Sequence, residues 1–463
     1  MKTINRKPLF LALAGITALG AIGTAQAVSV NPTGLGQVLL YPYYTVKGEA
    51  NPFNTLLSIV NTTASTKAVK VRFREGKASA EVLDFNIFLS PYDMWTAALE
   101  PSSSGGVRMS TSDNSCTIPT IPAAGVEFRN GAYVGDLVAD NSLTRLREGY
   151  FEVIEMATYT DGSVIAVNSK HGSNGKPLNC ARVTDIVATQ EQRDPQGGLS
   201  GTASLVSSGS GFNAATDPTA LVNFKKNAFY SDTGTIAPDM RNADPWSMTE
   251  AGNGNTVWAS WNAGQDAVSA ALMKNAIINE FVLDAGTASQ TDWVITFPTK
   301  SFYIGEFTAT KRNPFQSVLG PKGSCDDIVL TTWDREEQTT QPGGPDFSPS
   351  PTQPGVSICW EANVLTFNNK NIFSSSQTLG VNTLFPNGWA RMDFHVGGVL
   401  PLVANAATLV VENRDAPPFT TASGTSFTGL PTIGFAVQTF RPTLERSFAG
   451  TFAHRFVPGT PAN

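Results

Sequence analysis

Two short segments of the sequence combine tryptophan with acidic side chains. They are Trp333-Asp334-Arg335-Glu336-Glu337 and Trp360-Glu361. Glycoside hydrolysis needs an acid and a second carboxylate on either side of the sugar bond, and aromatic rings stack on sugar faces. The residue types therefore predict a glycan-binding or glycan-cleaving site. Its candidate residues are Trp333, Asp334, Glu336, Trp360 and Glu361.

A structural interpretation competes with this chemistry. Both tryptophans lie near cysteines that are expected to form a disulfide, and large aromatic side chains beside such bridges usually pack in a core. The acidic residues after Trp333 begin a polar segment that is expected to be an exposed loop. We therefore assign no catalytic residue from the sequence.

Motifs of the common enzyme classes do not occur in the sequence. It contains no Gly-x-Ser-x-Gly nucleophile elbow, no Gly-x-x-x-x-Gly-Lys-Ser/Thr phosphate loop and no His-Glu-x-x-His zinc motif. The EF-hand pattern is also missing, so calcium could bind only to loop carboxylates, with Asp239, Asp244, Asp326 and Asp327 as candidates. We predict a protein that is not an enzyme and has no cofactor.

The first 27 residues have the order of a secretory signal. Lys2, Arg6 and Lys7 precede an apolar run at 9–22, and Ala25-Gln26-Ala27 supplies small residues for cleavage. The mature chain is therefore predicted to start at Val28 and to be secreted, either extracellular or at the cell surface. No later run approaches the roughly 20 apolar residues of a membrane-spanning helix.

Cysteine usage agrees with an oxidising compartment. The four cysteines show no Cys-x-x-Cys spacing, and the three histidines, His171, His395 and His454, are too far apart to suggest a zinc site. Two disulfides are predicted. Of the three connectivities we favour Cys116–Cys180 with Cys325–Cys359, because each pair then lies within one predicted domain.

Net charge excludes a nucleic-acid partner. The formal charge of −6 becomes −9 once the three cations of the leader are removed, and lysine and arginine are scattered except between Lys67 and Lys77. Binding to a phosphate backbone requires a basic patch. Within 69–74, apolar residues alternate with Lys70, Arg72 and Arg74, which predicts a strand with one buried face and with cations facing solvent or neighbouring acidic residues.

The pattern of short strands separated by glycine and proline predicts an all-β fold. We expect two or more antiparallel β-sandwich-like domains with long loops and one short helix at 266–278, for which Asp266 is the N-cap. The predicted organisation is a signal peptide at 1–27, an N-terminal β domain at 28–205 and a C-terminal β domain at 206–463. A proline-rich insertion loop occupies 338–356, because proline cannot donate to a central strand.

Five blocks of the sequence resemble an exported protein family of proteobacteria whose members are described only as cell-surface or surface-layer-like proteins. The blocks are 36–45 (GQVLLYPYYT), 71–77 (VRFREGK), 82–93 (VLDFNIFLSPYD), 291–300 (TDWVITFPTK) and 333–337 (WDREE). The resemblance spans most of the mature chain. It implies an extracellular, all-β surface protein and assigns no catalytic residues.

These observations lead to two functional hypotheses. The first is a secreted, non-enzymatic bacterial surface protein, a structural component of a surface layer or extracellular matrix. The alternative is a soluble extracellular or periplasmic glycan-binding protein or glycoside hydrolase. The expected partners are further copies of the chain, or glycans of the outer surface such as lipopolysaccharide.

Overall fold

A computed structural model describes residues 26–250, 256–305, 312–339, 356–394, 401–410, 420–422, 425–443, 446–459 and 461–462. Antiparallel sheets dominate these residues, and helices are few and short, which confirms the prediction of an all-β fold. Most of the leader, most of the proline-rich segment 338–356 and His395 lie outside the described residues.

Thirteen strands, up to residue 222, form two antiparallel sheets. The strands are β1 Ser29–Val30, β2 Val38–Thr45, β3 Asn54–Asn61, β4 Thr66–Glu75, β5 Glu81–Leu89, β6 Met94–Pro101, β7 Val107–Ser110, β8 Cys116–Ile118, β9 Val126–Glu127, β10 Glu148–Tyr159, β11 Leu199–Ser207, β12 Phe212–Thr216 and β13 Thr219–Val222. Sheet I has the order β1-β13-β2-β10-β4-β5-β8, and sheet II has the order β12-β11-β3-β6-β7-β9.

The described strands beyond residue 222 form four further sheets. They are β14 Trp246–Glu250, β15 Thr256–Ser260, β16 Met273–Val282, β17 Gln290–Thr296, β18 Asp326–Trp333, β19 Val356–Ile358, β20 Ala362–Phe367, β21 Thr378–Val381, β22 Asn387–Phe394, β23 Leu402–Val403, β24 Ala406–Val410, β25 Thr420–Ala422, β26 Ser426–Phe427, β27 Leu430–Pro431, β28 Ile433–Thr443, β29 Arg446–Ala453, β30 Arg455–Pro458 and β31 Pro461–Ala462. Sheet III is β14-β15-β24-β25, sheet IV is β19-β18-β22-β16-β27 with β30 also on β16, sheet V is β21-β20-β17-β28-β29, and sheet VI is β23-β26-β31.

Among the described residues, three short α-helices accompany the sheets: α1 Val164–Ser169, α2 Cys180–Ile186 and α3 Gly264–Leu272. The helix predicted at 266–278 therefore ends at Leu272, and the rest of that segment is strand β16. Ile277 and Ile278 are β-branched and pair with β22, so tertiary pairing overrides the helical pattern. Asp266 lies in the first turn and accepts from the Tyr303 hydroxyl at 2.8 Å, so it is not the N-cap.

Sheet I is covered on both faces. On one face Val71 and Phe73 of β4 share an apolar cluster with Ile59 and Trp95 of sheet II, as the alternation predicts. On the other face Lys70, Arg72 and Arg74 are also buried. Of the two surroundings expected for these cations, solvent is therefore wrong, because segments of the C-terminal half cover this face.

The two halves of the chain meet along their sheets. Thr451 of β29 donates a hydrogen bond to the Ala215 carbonyl of β12, and Val28 pairs with Ser247 of β14. The predicted boundary at 205/206 falls inside β11, and β12 and β13 extend sheets II and I beyond it. One large core cluster contains residues of both halves, such as Ile154 and Trp293.

Both predicted disulfides are present, in the sequential connectivity. Cys116 of β8 is bonded to Cys180 at the start of α2, and Cys325 before β18 is bonded to Cys359 after β19. The described residues include all four cysteines, and none is free. The two bridges indicate an oxidising, non-cytoplasmic location.

Candidate functional site

Two tryptophans lie side by side where β18 ends and β22 begins. Trp333 is directly opposite Trp389 in the antiparallel ladder, and the two indoles stack with centroids 4.0 Å apart and planes 12° apart. Trp389 is 38% exposed, and Trp333 is half-buried. Trp333 is one of the residues predicted from the sequence, whereas its partner Trp389 is not.

Close approach of the two strands holds this pair together. A Cβ at Gly388 would collide with the Trp333 carbonyl oxygen and would also approach the Phe281 ring. Glycine therefore lets β22 pack tightly on β18 at the residue before Trp389. A glycine inside an alternating strand often indicates such a close approach of two backbones, so Gly388 is a signal that the sequence alone contains.

Asp334 and Glu336 lie in the turn that follows Trp333. Asp334 Oδ1 accepts from the backbone N–H groups of Glu336 and Gln338, at 2.9 and 2.8 Å, so its carboxylate stabilises the turn. Glu336 is exposed. The two acidic candidates thus stay close to Trp333, and one of them has a structural role.

Trp360 and Glu361 lie elsewhere. The disulfide places them beside Cys325, at the start of β18, whereas Trp333 ends that strand, roughly 25 Å away at the rise of an extended chain. Trp360 receives the Lys77 ammonium over its ring at 5.2 Å, and Glu361 is fully buried. The five candidate residues therefore do not form one site, because the disulfide beside Trp360 and Glu361 lies at the end of β18 opposite to Trp333.

A second concentration of chemical groups lies on sheet I. Strand β4 contributes four buried cations, each paired with a carboxylate of a neighbouring strand. The distances are 2.7 Å for Lys67–Glu155, 2.6 Å for Arg72–Glu81 and 3.1 Å for Arg74–Glu152, and Lys70 pairs with Asp84.

These charged pairs are framework interactions. Burial lowers the pKa of Lys70 and raises the pKa values of Glu81 and Glu152, although the neighbouring opposite charges act against each shift. Removing one partner of such a pair would leave an uncompensated buried charge. The expectation that these cations meet acidic residues of adjacent strands is confirmed.

A chain segment of the C-terminal half seals this charged face. Arg72 donates to the carbonyl oxygens of Pro238 and Thr235, at 2.8 and 3.3 Å. Asn86 donates to the Ser231 carbonyl at 3.0 Å. The buried polar side chains of sheet I thereby donate hydrogen bonds to backbone carbonyl groups of the segment that covers them.

Two open depressions accompany these sheets. One, of about 800 Å³, has a lining that includes three carboxylates, those of Glu81, Asp84 and Glu127, and the guanidinium of Arg129. Glu81 and Asp84 are already paired with Arg72 and Lys70, and Glu127 accepts hydrogen bonds from serine hydroxyls. The other, of about 650 Å³, crosses the outer face of sheet II and is lined by small neutral side chains such as Ser58 and Thr96.

Three of the four carboxylates considered for calcium have cationic partners. Asp239 pairs with Arg241, Asp244 with Lys225 and Asp326 with Lys300, at 2.6, 2.7 and 2.9 Å. The fourth candidate, Asp327, is exposed. In the part of the chain that the structure describes, no cluster of three or more histidine, cysteine or acidic side chains could hold a metal ion. Within the same residues, no helix has the length and apolar character to cross a bilayer.

Comparison with known proteins identifies no similar family, protein or structure. No protein-family model matches the chain, and no curated protein or solved structure is detectably similar to it. We therefore infer the function from the residues of this chain.

Proposed function

We propose that this chain is an exported, non-enzymatic protein of the bacterial surface, with a structural role in a surface layer or extracellular matrix. The leader-like order of 1–27 and the two disulfides support export to an oxidising compartment. The ionic pairs of sheet I support a framework role, because their carboxylates neutralise buried cations.

The observation that carries the structural role is a run of exposed phenylalanines on the last strands. Phe448 and Phe452 of β29 are 60% and 44% exposed, and Phe456 of β30 is 52% exposed. Phe448 and Phe452 project from the same face of β29, with only Gly450 between them on that face. Large exposed apolar groups that recur on one element are typical of contact surfaces between proteins.

Sheet faces are better suited than edges to this contact. End strand β29 of sheet V packs against end strand β12 of sheet II, and Val28, just before end strand β1 of sheet I, forms a bridge with Ser247 of β14 in sheet III. Covering end strands in this way prevents uncontrolled pairing between molecules. We expect copies to associate through the phenylalanine-bearing face of β29.

Assembly of the purified mature chain tests the structural role. Under oxidising conditions, size-exclusion chromatography and negative-stain microscopy should show regular oligomers or sheets. A Phe448→Ser/Phe452→Ser variant should remain monomeric. Tyr92→Ser is the matched control, because Tyr92 is 70% exposed on a turn of the N-terminal half. A wild-type protein that stays monomeric would contradict a structural role by self-assembly.

Surface location is tested separately on the producing cells. Protease added to intact cells should degrade the protein while a periplasmic marker survives. Protection on intact cells, followed by degradation once the outer membrane is permeabilised, would place the chain in the periplasm and refute the surface assignment.

A further inference from the structure

We propose that the stacked indoles of Trp333 and Trp389 are a carbohydrate-binding platform that takes a pyranose ring of a surface polysaccharide. The sugar ring would lie on the exposed part of the Trp389 indole. Its hydroxyl groups would exchange hydrogen bonds with charged side chains on the same face of sheet IV. This site is separate from the phenylalanine-bearing face of β29 and does not depend on self-assembly.

The aromatic part of the platform is rigid before any ligand arrives. Each indole uses one ring face against the other, at 4.0 Å, and Gly388 holds the two strands close together. An exposed single tryptophan samples several rotamers, whereas a stacked pair has lost that freedom on folding. Binding therefore costs little side-chain entropy.

Hydrogen-bonding groups surround the exposed indole. Glu280 of β16 is directly opposite Trp389, and its carboxylate receives the Arg455 guanidinium at 2.9 Å through both oxygens. Arg391 lies two residues after Trp389 on the same face of β22 and pairs with Asp393 at 2.7 Å. Both pairs are partly exposed. They present donors and acceptors beside a flat apolar surface.

This combination matches the chemistry of a sugar. A pyranose has an apolar face of C–H groups and a rim of hydroxyls that donate and accept hydrogen bonds. Across three strands, Trp333, Trp389 and Glu280 form one row that spans roughly 10 Å at the usual strand spacing. The row is long enough for one or two sugar rings, with the charged pairs along its side.

A second copy of the chain fits this surface less well. A stable protein interface buries about 800 Å² on each partner, whereas Trp389 offers roughly 100 Å² of exposed side chain. The charged pairs around it would lose their solvent in a protein interface without new partners. A small, hydroxyl-rich ligand leaves them solvated.

Saccharide titration of the full mature chain tests the platform. The probes are hexasaccharides of glucose, N-acetylglucosamine, galactose and mannose, and the readouts are tryptophan fluorescence and calorimetry. At least one probe should bind the wild-type protein. Trp389→Ala should weaken that binding at least tenfold, and Trp389→Phe should retain part of it because a ring remains.

Trp246→Ala is the matched control. Trp246 is 41% exposed on β14, almost the same as Trp389, but no ring contact to another aromatic is described for it. We expect this variant to bind like wild type, and all three variants to keep the wild-type circular dichroism. The proposal is overturned if no probe binds at millimolar concentration or if Trp389→Ala binds as well as wild type. It is also overturned if Trp389→Ala changes only the sedimentation of the protein, which would indicate an interface between copies.

Discussion

Glu148 of sheet I accepts two hydrogen bonds from Ser376 of the C-terminal half, at 2.7 Å from Oγ and 3.0 Å from the backbone nitrogen. The same carboxylate accepts from the hydroxyls of Tyr43 and Ser375 and lies 3.2 Å from the Lys47 ammonium. Burial disfavours the ionised carboxylate and acts to raise its pKa. The charge of Lys47 and the serine hydrogen bonds have the larger effect and hold the pKa of Glu148 below its usual value. One buried carboxylate thus fastens the two halves together.

Replacing the carboxylate of Glu148 should weaken the contact between the two halves of the chain. Glu148→Gln keeps the shape but removes the charge and directs an amide N–H₂ toward hydrogen-bond donors. We expect a loss of about 3 kcal/mol in the free energy of unfolding, measured by urea denaturation at neutral pH. Glu100→Gln is the control, because Glu100 forms an exposed pair with Arg108 and should change stability by less than about 1 kcal/mol.

The pH dependence of this variant follows from the sign of the shift. Because the folded pKa is lowered, the contribution of Glu148 is fully present above the unfolded value of about 4.3 and is lost as the pH falls below it. The stability difference between wild type and Glu148→Gln should therefore shrink in that acidic range. A difference that stays constant down to pH 3 would show that the charge of Glu148 contributes nothing.

Asp292 has the opposite character. Its carboxyl is fully buried, and Oδ2 accepts from the Ile372 backbone nitrogen at 2.7 Å. Burial raises its pKa well above the usual value, although backbone donors act against the shift. Its favourable contribution is therefore present below about pH 3.9 and is lost as the pH rises toward the folded pKa.

Asp292→Asn should therefore stabilise the protein at neutral pH. Asparagine keeps an oxygen for the Ile372 N–H without the ionisable group, so we expect a gain of about 1–3 kcal/mol at pH 7 and almost none at pH 4. Thermal unfolding at both pH values measures it. Asp326→Asn is the contrasting control. It removes the negative charge that pairs with the buried Lys300 ammonium, so it should destabilise the folded protein. Destabilisation by Asp292→Asn at pH 7 would mean that the folded protein uses the ionised carboxylate.

Local alternation predicts strands well in this chain because period two is visible wherever one face is apolar. Strand β4 is an example: Val71 and Phe73 point into the core as expected. Its charged face is misjudged for a physical reason. Arg72 looks the same in the sequence whether water or the Pro238 carbonyl accepts its hydrogen bonds, and only the tertiary fold decides. The helix prediction for the segment after Leu272 fails for a similar reason, because pairing of this segment with β22 outweighs its helical pattern.

The candidate site was half predictable for a related reason. Trp333 and Asp334 are adjacent in the sequence and therefore stay together. The partner of Trp333 could not be deduced, because alternation does not specify which strands pair, and β22 lies far along the chain. Trp360 resembles Trp333 in the sequence because acidic residues follow both, but the disulfide near Trp360 constrains only the end of β18 that carries Cys325.

His454 should resist protonation. Its Nε2 donates to the Val294 carbonyl at 2.9 Å, and Nδ1 accepts from the Asn279 amide at 2.7 Å, which defines a neutral tautomer. Burial lowers its pKa to about 3. Relative to an unfolded value of about 6.5, the contribution of the neutral ring to stability is fully present above that pH and is lost as the pH falls from 6.5 toward 3, by on the order of 5 kcal/mol.

Nuclear magnetic resonance of the imidazole Cε1–H group measures this directly. The His454 signal should keep its chemical shift from pH 7 down to pH 4, and unfolding of the wild type should become easier over that range. His454→Gln should show a flatter pH dependence of stability, because glutamine has no ionisable group whose pKa could differ between the folded and unfolded states. A His454 signal that titrates near pH 6.5 in the folded protein would contradict the buried neutral ring.

The two disulfides should contribute unequally, with the bridge at Cys116 the larger. In the chain-entropy model, closing loops with separations of 64 and 34 residues is worth about 4 kcal/mol each and differs by only about 0.6 kcal/mol. Cys116, however, is 2% exposed in an apolar cluster with Phe88, Met156 and Tyr159. Removing its sulfur leaves a cavity as well as a longer free chain.

We therefore expect Cys116→Ala/Cys180→Ala to lose about 1–2 kcal/mol more than Cys325→Ala/Cys359→Ala, measured by urea unfolding under oxidising conditions. Wild type unfolded in the presence of a reducing agent controls for the lost side-chain volume, because it keeps the sulfur atoms and loses only the cross-links. If the Cys325–Cys359 variant were the less stable of the two, that bridge would have to stabilise the folded sheet IV directly, by holding β18 and β19 together, as well as by restricting the unfolded chain.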